Sequence, residues 1–174
     1  AATYKIDPAH SHIGFSVKHL VISNVKGNFK KLNGGFDLDP ENNISSATLE
    51  VDAASINTEN EKRDKHLRSS DFLDVSLHPK IVFQFKKTVS RSDNKYKVLG
   101  DITIRGVTKD IELEGELLGK VKDPWGYERA GFTGTGKLDR TEFGLVWNNV
   151  LETGGVVVGN SVTLLLEFEG ILQK

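Results

Sequence analysis

The sequence predicts an all-β domain, an antiparallel barrel of about eight strands with one short polar helix laid across an end. Three observations carry this. Apolar and polar residues alternate with a period of two, giving each segment one apolar and one polar face, the pattern of antiparallel sheet. Clusters of turn-forming residues separate the alternating segments. Glycine recurs within the segments, where a sheet uses it to coil sharply, bulge or leave interior room.

Taken in order, Ile13, Phe15 and Val17 alternate with Gly14, Ser16 and Lys18. Ala47, Leu49 and Val51 alternate with Thr48, Glu50 and Asp52, and Ile81, Phe83 and Phe85 flank Gln84. Val98, Ile102 and Ile104 follow the same rule, as do Ile111, Leu113 and Leu117, then Ala130 and Phe132, then Val162, Leu164, Leu166 and Phe168. Asn33-Gly34-Gly35, Pro40-Glu41-Asn42-Asn43, Ser92-Asp93-Asn94, Arg105-Gly106 and Asp123-Pro124-Trp125-Gly126 mark the turns. The connections are hairpins, with no βαβ unit, so a barrel or a sandwich follows. Gly14, Gly27, Gly100, Gly115, Gly131, Gly134, Gly136 and Gly170 fall within strands and favour the barrel, because a sandwich core would place bulky residues there.

One segment breaks the period. Thr58 and Glu61 have capping-box spacing, and a helix is expected from Glu59 to Arg68. It is almost wholly polar, with Glu59–Arg63 and Glu61–Lys65 at i,i+4. Such a helix has no apolar stripe of its own, so Leu67, Phe72 and Leu73 are expected to dock its far end. No linker or repeat divides residues 1–174, which read as a single domain.

The 23 Lys and Arg against 24 Asp and Glu give a net charge of −1, without the basic excess of a nucleic-acid binder. No apolar run approaches the ~20 residues of a membrane-spanning helix. The absence of cysteine removes disulfides, thiolate zinc sites and cysteine nucleophiles. The chain opens Ala1-Ala2-Thr3-Tyr4 without methionine, which fits a mature end left by signal-peptide cleavage and points to export.

His10 and His12 form an HxH pair, but a zinc site needs three or four ligands and no third stands at a telling spacing. No metal or other cofactor is expected. His19 ends the Ile13-Phe15-Val17 row and is a candidate polar contact at a barrel mouth, whereas His78, before Pro79, reads as an exposed turn residue. Arg63-Asp64-Lys65-His66 with Asp71 is the densest titratable cluster. On a helix Arg63 and His66 share a face, while Asp64 lies toward Arg68. No nucleophile elbow, HExxH or phosphate loop accompanies the cluster. It reads as an ion-paired helix cap or a head-group site before it reads as catalytic. The apolar rows themselves suit either a dry core or a small ligand cavity.

Several blocks now combine. Tyr4-Lys5-Ile6-Asp7 precedes Phe15-Ser16-Val17-Lys18-His19-Leu20 and Val25-Lys26-Gly27-Asn28-Phe29. Asn57-Thr58 is followed by the run from Arg63 to Asp74, then Pro79, and then Gly100-Asp101-Ile102-Thr103-Ile104-Arg105-Gly106. Asp123-Pro124-Trp125-Gly126, Arg129-Ala130-Gly131-Phe132 and Arg140-Thr141-Glu142-Phe143-Gly144 complete the series. In this order the chain resembles the YceI-like family over nearly its whole length. Phe72-Leu73 stands where members often carry two phenylalanines, and Leu145–Val158, with Trp147 and Gly154-Gly155, varies among members. The resemblance implies an eight-stranded lipocalin-like barrel with a long apolar pore, an exported (periplasmic or secreted) chain and a homodimer.

The function the resemblance implies is non-catalytic binding, transport or storage of a polyisoprenoid, an isoprenoid quinone or a fatty-acid-like lipid. Strands of about ten residues rising ~3.3 Å each at a tilt of ~40° make a pore about 25 Å long. Alternation nominates Phe15, Val17, Phe29, Leu49, Phe83, Phe85, Ile102, Phe132, Trp147 and Leu164 as inward residues, with His19 and Arg63 near a head group. The rivals are an enzyme using the Arg63–Asp71 cluster on isoprenoid lipids and a stress-response protein with a solid core.

Overall fold

The computed structural model describes residues 2–20, 22–148 and 158–174. The period-two segments become β1 (Ala2–Ile6), β2 (His12–His19), β3 (Ser23–Phe29), β4 (Leu32–Leu38), β5 (Ile44–Asp52) and β6 (Ile56–Asn57). The helix α1 (Glu61–Arg68) follows, then β7 (Lys80–Ser92), β8 (Lys95–Ile104), β9 (Val107–Lys122), β10 (Glu128–Asp139) and β11 (Val158–Leu172). Every pairing among them is antiparallel. Eight strands close a ring in the order β1-β4-β5-β7-β8-β9-β10-β11, sealed where Tyr4 faces Leu172 and Ile6 faces Gly170. The barrel that the strand glycines favoured over a sandwich is therefore present.

Beyond the expected eight, β2, β3 and β6 form a branch from the ring. β11 is long enough to serve two partners along one edge, with Leu164 opposite Phe15 of β2 and Ile171 opposite Lys5 of β1, while β10 takes the other. The chain steps from β1 to β2 through a short turn at Pro8–His10, in which Asp7 accepts from the Ala9 amide. His10 thus sits in a turn and bonds Asp7 (2.8 Å) instead of sharing a strand face with His12. β3 then meets β6, with Phe29 opposite Ile56, which anchors the passage into α1.

The helix begins two residues later than its sequence suggests. Glu59 has φ +60°, a left-handed conformation that no helical residue adopts. Asn60 is the cap, its side chain accepting from the Arg63 amide at 3.0 Å. Neither expected i,i+4 pair forms: Glu61 instead meets Arg68 (3.1 Å), and Arg63 turns to Thr58. Phe72 and Leu73 are buried and Leu67 packs against the same cluster, so the far end is docked as expected.

Two apolar clusters fill different ends. Around Tyr4 and Phe36 the rings stack at 5.2 Å, Phe132 meets Phe36 edge-on at 5.2 Å, and Tyr96 closes on Phe132 at 5.9 Å. This aromatic plug is the packed floor of the barrel. The other cluster gathers Ile102, Ile104, Ile111 and Phe143 beneath Phe72 and Leu73, toward the helix end. Outside, charges pair across strands, as in Lys86 with Asp101 (3.1 Å) and Asp110 (2.9 Å) and Lys97 with Glu112 (3.1 Å). An apolar interior inside a charged exterior is the inverse of a membrane-spanning barrel. Among the described residues no helix is long and apolar enough to cross a membrane.

Candidate ligand-binding site

Above the aromatic floor the barrel is hollow. The cavity measures about 920 Å³, whereas packed interiors leave few voids larger than a water molecule. That volume lies in the range of small-molecule sites, ~300–1,000 Å³.

Phe15 and Val17 of β2, Phe29 of β3 and Leu49 of β5 form one side of the wall. Phe83 of β7, Ile102 of β8 and Leu164 of β11 form the other, and His19, Arg63 and Trp147 stand at the helix end. Two of the residues nominated by alternation lie elsewhere. Phe132 belongs to the aromatic floor, where it packs on Phe36 and Tyr96. Phe85 is half-buried opposite Gly100 and is not part of the cavity wall. Phe132 keeps its inward direction, paired with Phe168, but serves the floor, and Phe85 is the last residue of β7 in register before the shift at Phe85/Lys87.

The interior glycines act less as empty space than as seats for rings. A Cβ on Gly27 would lie 2.5 Å from the Phe15 ring, and one on Gly100 would lie 2.5 Å from the Phe83 ring. Both phenylalanines therefore lie flat against a bare patch of neighbouring strand, which leaves the centre of the barrel open.

Most of the polar groups among the described lining residues gather at the end beneath α1. Thr58 links two charges: its hydroxyl donates to Asp64 Oδ1 (2.5 Å) and accepts from Arg63 Nε (2.8 Å). Its amide also donates to Asp64 (2.9 Å), and its carbonyl accepts from Arg63 Nη2 (2.7 Å). Asp64, expected to lie toward Arg68, is instead buried under the helix. Arg63 and His66 share the cavity-facing side, as the helical spacing requires. His66 Nε2 meets Asp71 Oδ2 at 2.9 Å, and its ring stands edge-on to Phe72 (5.1 Å) and Trp147 (4.7 Å). The Ser69 hydroxyl is committed to the His66 carbonyl at 2.6 Å. His78, expected to be exposed, is half-buried with its ring against Gly106.

Arg140 went unnoticed as an individual residue in the sequence. It is buried at the cavity wall and donates to four carbonyls: Leu145 (2.6 Å), Trp147 (3.0 Å), Val158 (3.2 Å) and Gly159 (2.8 Å). Burial pulls its pKa down and neighbouring Asp139 opposes this, so it remains a cation. It pins both ends of the variable stretch that begins at Leu145; residues 149–157, with Gly154-Gly155, lie outside the described residues. Lys18, Lys62, Arg63, Lys65 and Arg140 all border the cavity, with Asp71 as the carboxylate among its described lining residues. Among the described residues no three His, Asp or Glu side chains group as metal ligands. The arrangement can shelter a long apolar group and meet a polar or anionic group at one end.

Residues 4–170 match the YceI-like domain. The chain belongs to the YceI-like family. A UPF0312 protein of Vibrio cholerae is 42% identical over 148 residues, covering 83% of this chain and 78% of that one. A UPF0312 protein of Photorhabdus laumondii is 38% identical and covers 100% of this chain and 88% of its own length. Among solved structures, the YceI protein of Campylobacter jejuni superposes with a TM-score of 0.77 at 35% identity, over 90% of each chain. A polyisoprenoid-binding domain from Saccharophagus degradans gives 0.72 over 98% of each chain at 15% identity, a likeness of fold alone. The YceI-like assignment agrees with the lipocalin-like barrel expected from the resemblance.

Proposed function

We propose that this YceI-like chain is a non-catalytic carrier or store for a long-chain amphiphile, a polyisoprenoid, an isoprenoid quinone or a fatty-acid-like lipid. The observation that carries this is the 920 Å³ apolar cavity with a packed aromatic floor and charged groups at the opposite end. The tail lies along Phe15, Phe83 and Leu164, and the head group meets Arg63, His19 and the lysines of α1. Ten buried methylenes contribute ~8 kcal/mol before ordering costs, which is on the scale of micromolar binding. The polyisoprenoid named for the S. degradans domain is one member of the ligand class proposed. An exported location and a homodimer belong to the same reading and rest on the resemblance; cell fractionation and light scattering check them.

Titration with dansyl-undecanoic acid tests the cavity. Leu164→Trp fills the wall position with a larger side chain and should weaken the probe at least ten-fold without lowering Tm. Unchanged affinity would remove the ligand from the cavity. A second reading has one observation in its favour, the His66–Asp71 pair at the cavity. It predicts turnover of an isoprenoid or lipid ester that His66→Ala abolishes while affinity stays; intact binding with no turnover leaves the carrier reading standing.

A further inference from the structure

The hairpin between β2 and β3 departs from ordinary turn chemistry. Tight hairpin turns favour Gly, Asn or Asp because their backbone visits positive φ. Here Leu20 takes φ +53°, and Ile22 is 86% exposed. A branched aliphatic side chain standing in water at a turn contributes nothing to folding. A second one lies on another segment, Val146, which is 65% exposed.

Both positions are set by the cavity. Ile22 sits between His19 and Val25, and Val146 between Leu145 and Trp147, and all four neighbours line the cavity. The two segments are also tied together: Val158 pairs with His19, and its carbonyl receives Arg140 Nη2 (3.2 Å) and Asn148 Nδ2 (2.7 Å). The same end presents exposed Lys18, Lys62 and Lys65. Three of its described carboxylates have local partners: Asp71 with His66, Glu61 with Arg68, and Glu59 with the Asn57 side-chain amide (2.8 Å). The opening thus carries two exposed aliphatic tips beside three exposed lysines.

We infer that the helix end of the barrel docks on an anionic lipid bilayer, with Ile22 and Val146 inserted among the acyl chains and the lysines on the head groups. This rests on the cavity reading and adds the route by which a ligand passes between bilayer and pore without crossing water. Each cation near an anionic surface adds roughly five-fold to partitioning and is weakened by salt.

The test is flotation of the full chain with vesicles of phosphatidylcholine alone and of an equimolar mixture with phosphatidylglycerol. The mixed vesicles should retain the protein and the neutral ones should not, with release as salt is raised. Ile22→Asp and Val146→Asp should each weaken partitioning about ten-fold or more. Trp125→Asp, at the opposite end where Trp125 is 77% exposed, should leave it unchanged. Equal retention by both lipids, unaffected Asp variants, or loss confined to Trp125→Asp would each overturn the inference. Dansyl-undecanoic acid in vesicle-free buffer separates the two ideas. A probe bound equally by wild type and Ile22→Asp leaves the cavity standing whatever the vesicles report, and a probe that fails to bind removes the cavity reading itself.

Discussion

Gly100 of β8 and Gly136 of β10 both lie within barrel strands but differ in what a methyl group would meet. At Gly100 a Cβ would lie 2.6 Å from the Gln84 carbonyl oxygen as well as against the Phe83 ring. Backbone does not yield, so Gly100→Ala should cost about 2 kcal/mol, read from the urea midpoint. At Gly136 the closest atom is the Leu113 Cδ2 methyl, the far end of a flexible side chain, and the nearest backbone oxygen is 3.5 Å away. Gly136→Ala should therefore be nearly neutral in stability, within about 1 kcal/mol. It should also push Leu113 into the cavity and weaken dansyl-undecanoic acid several-fold. Arg140 is the costlier residue: Arg140→Met strips the donors from four carbonyls and should destabilise by about 3 kcal/mol in urea.

At the scale of the element, α1 is a polar helix held by its ends. Asn60→Ala removes the cap and should cost about 1 kcal/mol. Thr58→Val has a different effect, because it removes the hydroxyl that joins Arg63 to the buried Asp64 carboxylate. Hydrogen exchange across Glu61–Arg68 should accelerate, with a loss of about 2 kcal/mol. Alternation alone made most of the wall legible, since Phe15, Val17, Leu49, Phe83 and Leu164 keep their period through unbroken pairing. Its limit shows at Phe132, which turns inward but packs into the floor, and at Phe85, which lies outside the cavity wall, because the period gives the face of a strand and not the height along the barrel. The capping box misled because Glu59 adopts a left-handed φ, a choice made by the buried Thr58–Asp64 contact six residues apart. Arg140 was illegible for a related reason: its partners are backbone carbonyls, which leave no mark in side-chain spacing.

Across the molecule, Arg129 closes the barrel where its ends meet. It bonds Asp7 (2.9 Å) beside the β1–β2 turn, Asp123 (2.8 Å) in the β9–β10 turn and Glu169 (3.1 Å) on β11. His10, Arg129 and the Ala9 amide hold the Asp7 carboxyl below its usual pKa. Burial pushes Asp123 up, but Arg129 and the Tyr127 and Trp125 amides outweigh it and leave the pKa lowered. A carboxylate depressed in the folded state stabilises above its unfolded pKa, ~3.9, and loses that contribution as pH falls through the lower folded value. Tm should therefore hold above about pH 5 and drop below pH 4. Arg129→Gln should lower Tm at neutral pH and flatten the acid slope; an unchanged slope would detach these carboxylates from barrel closure. The packed floor, facing a cavity whose charged lining residues lie toward the helix, makes the barrel a container with unlike ends.

Native mass spectrometry of the chain purified from its own host, followed by organic extraction, reads the contents of that container directly. A discrete adduct that extracts as a long-chain isoprenoid, quinone or lipid is the result predicted. An apo mass, together with no affinity for added long-chain lipids or isoprenoids, would contradict it and return the barrel to a role that leaves its cavity empty.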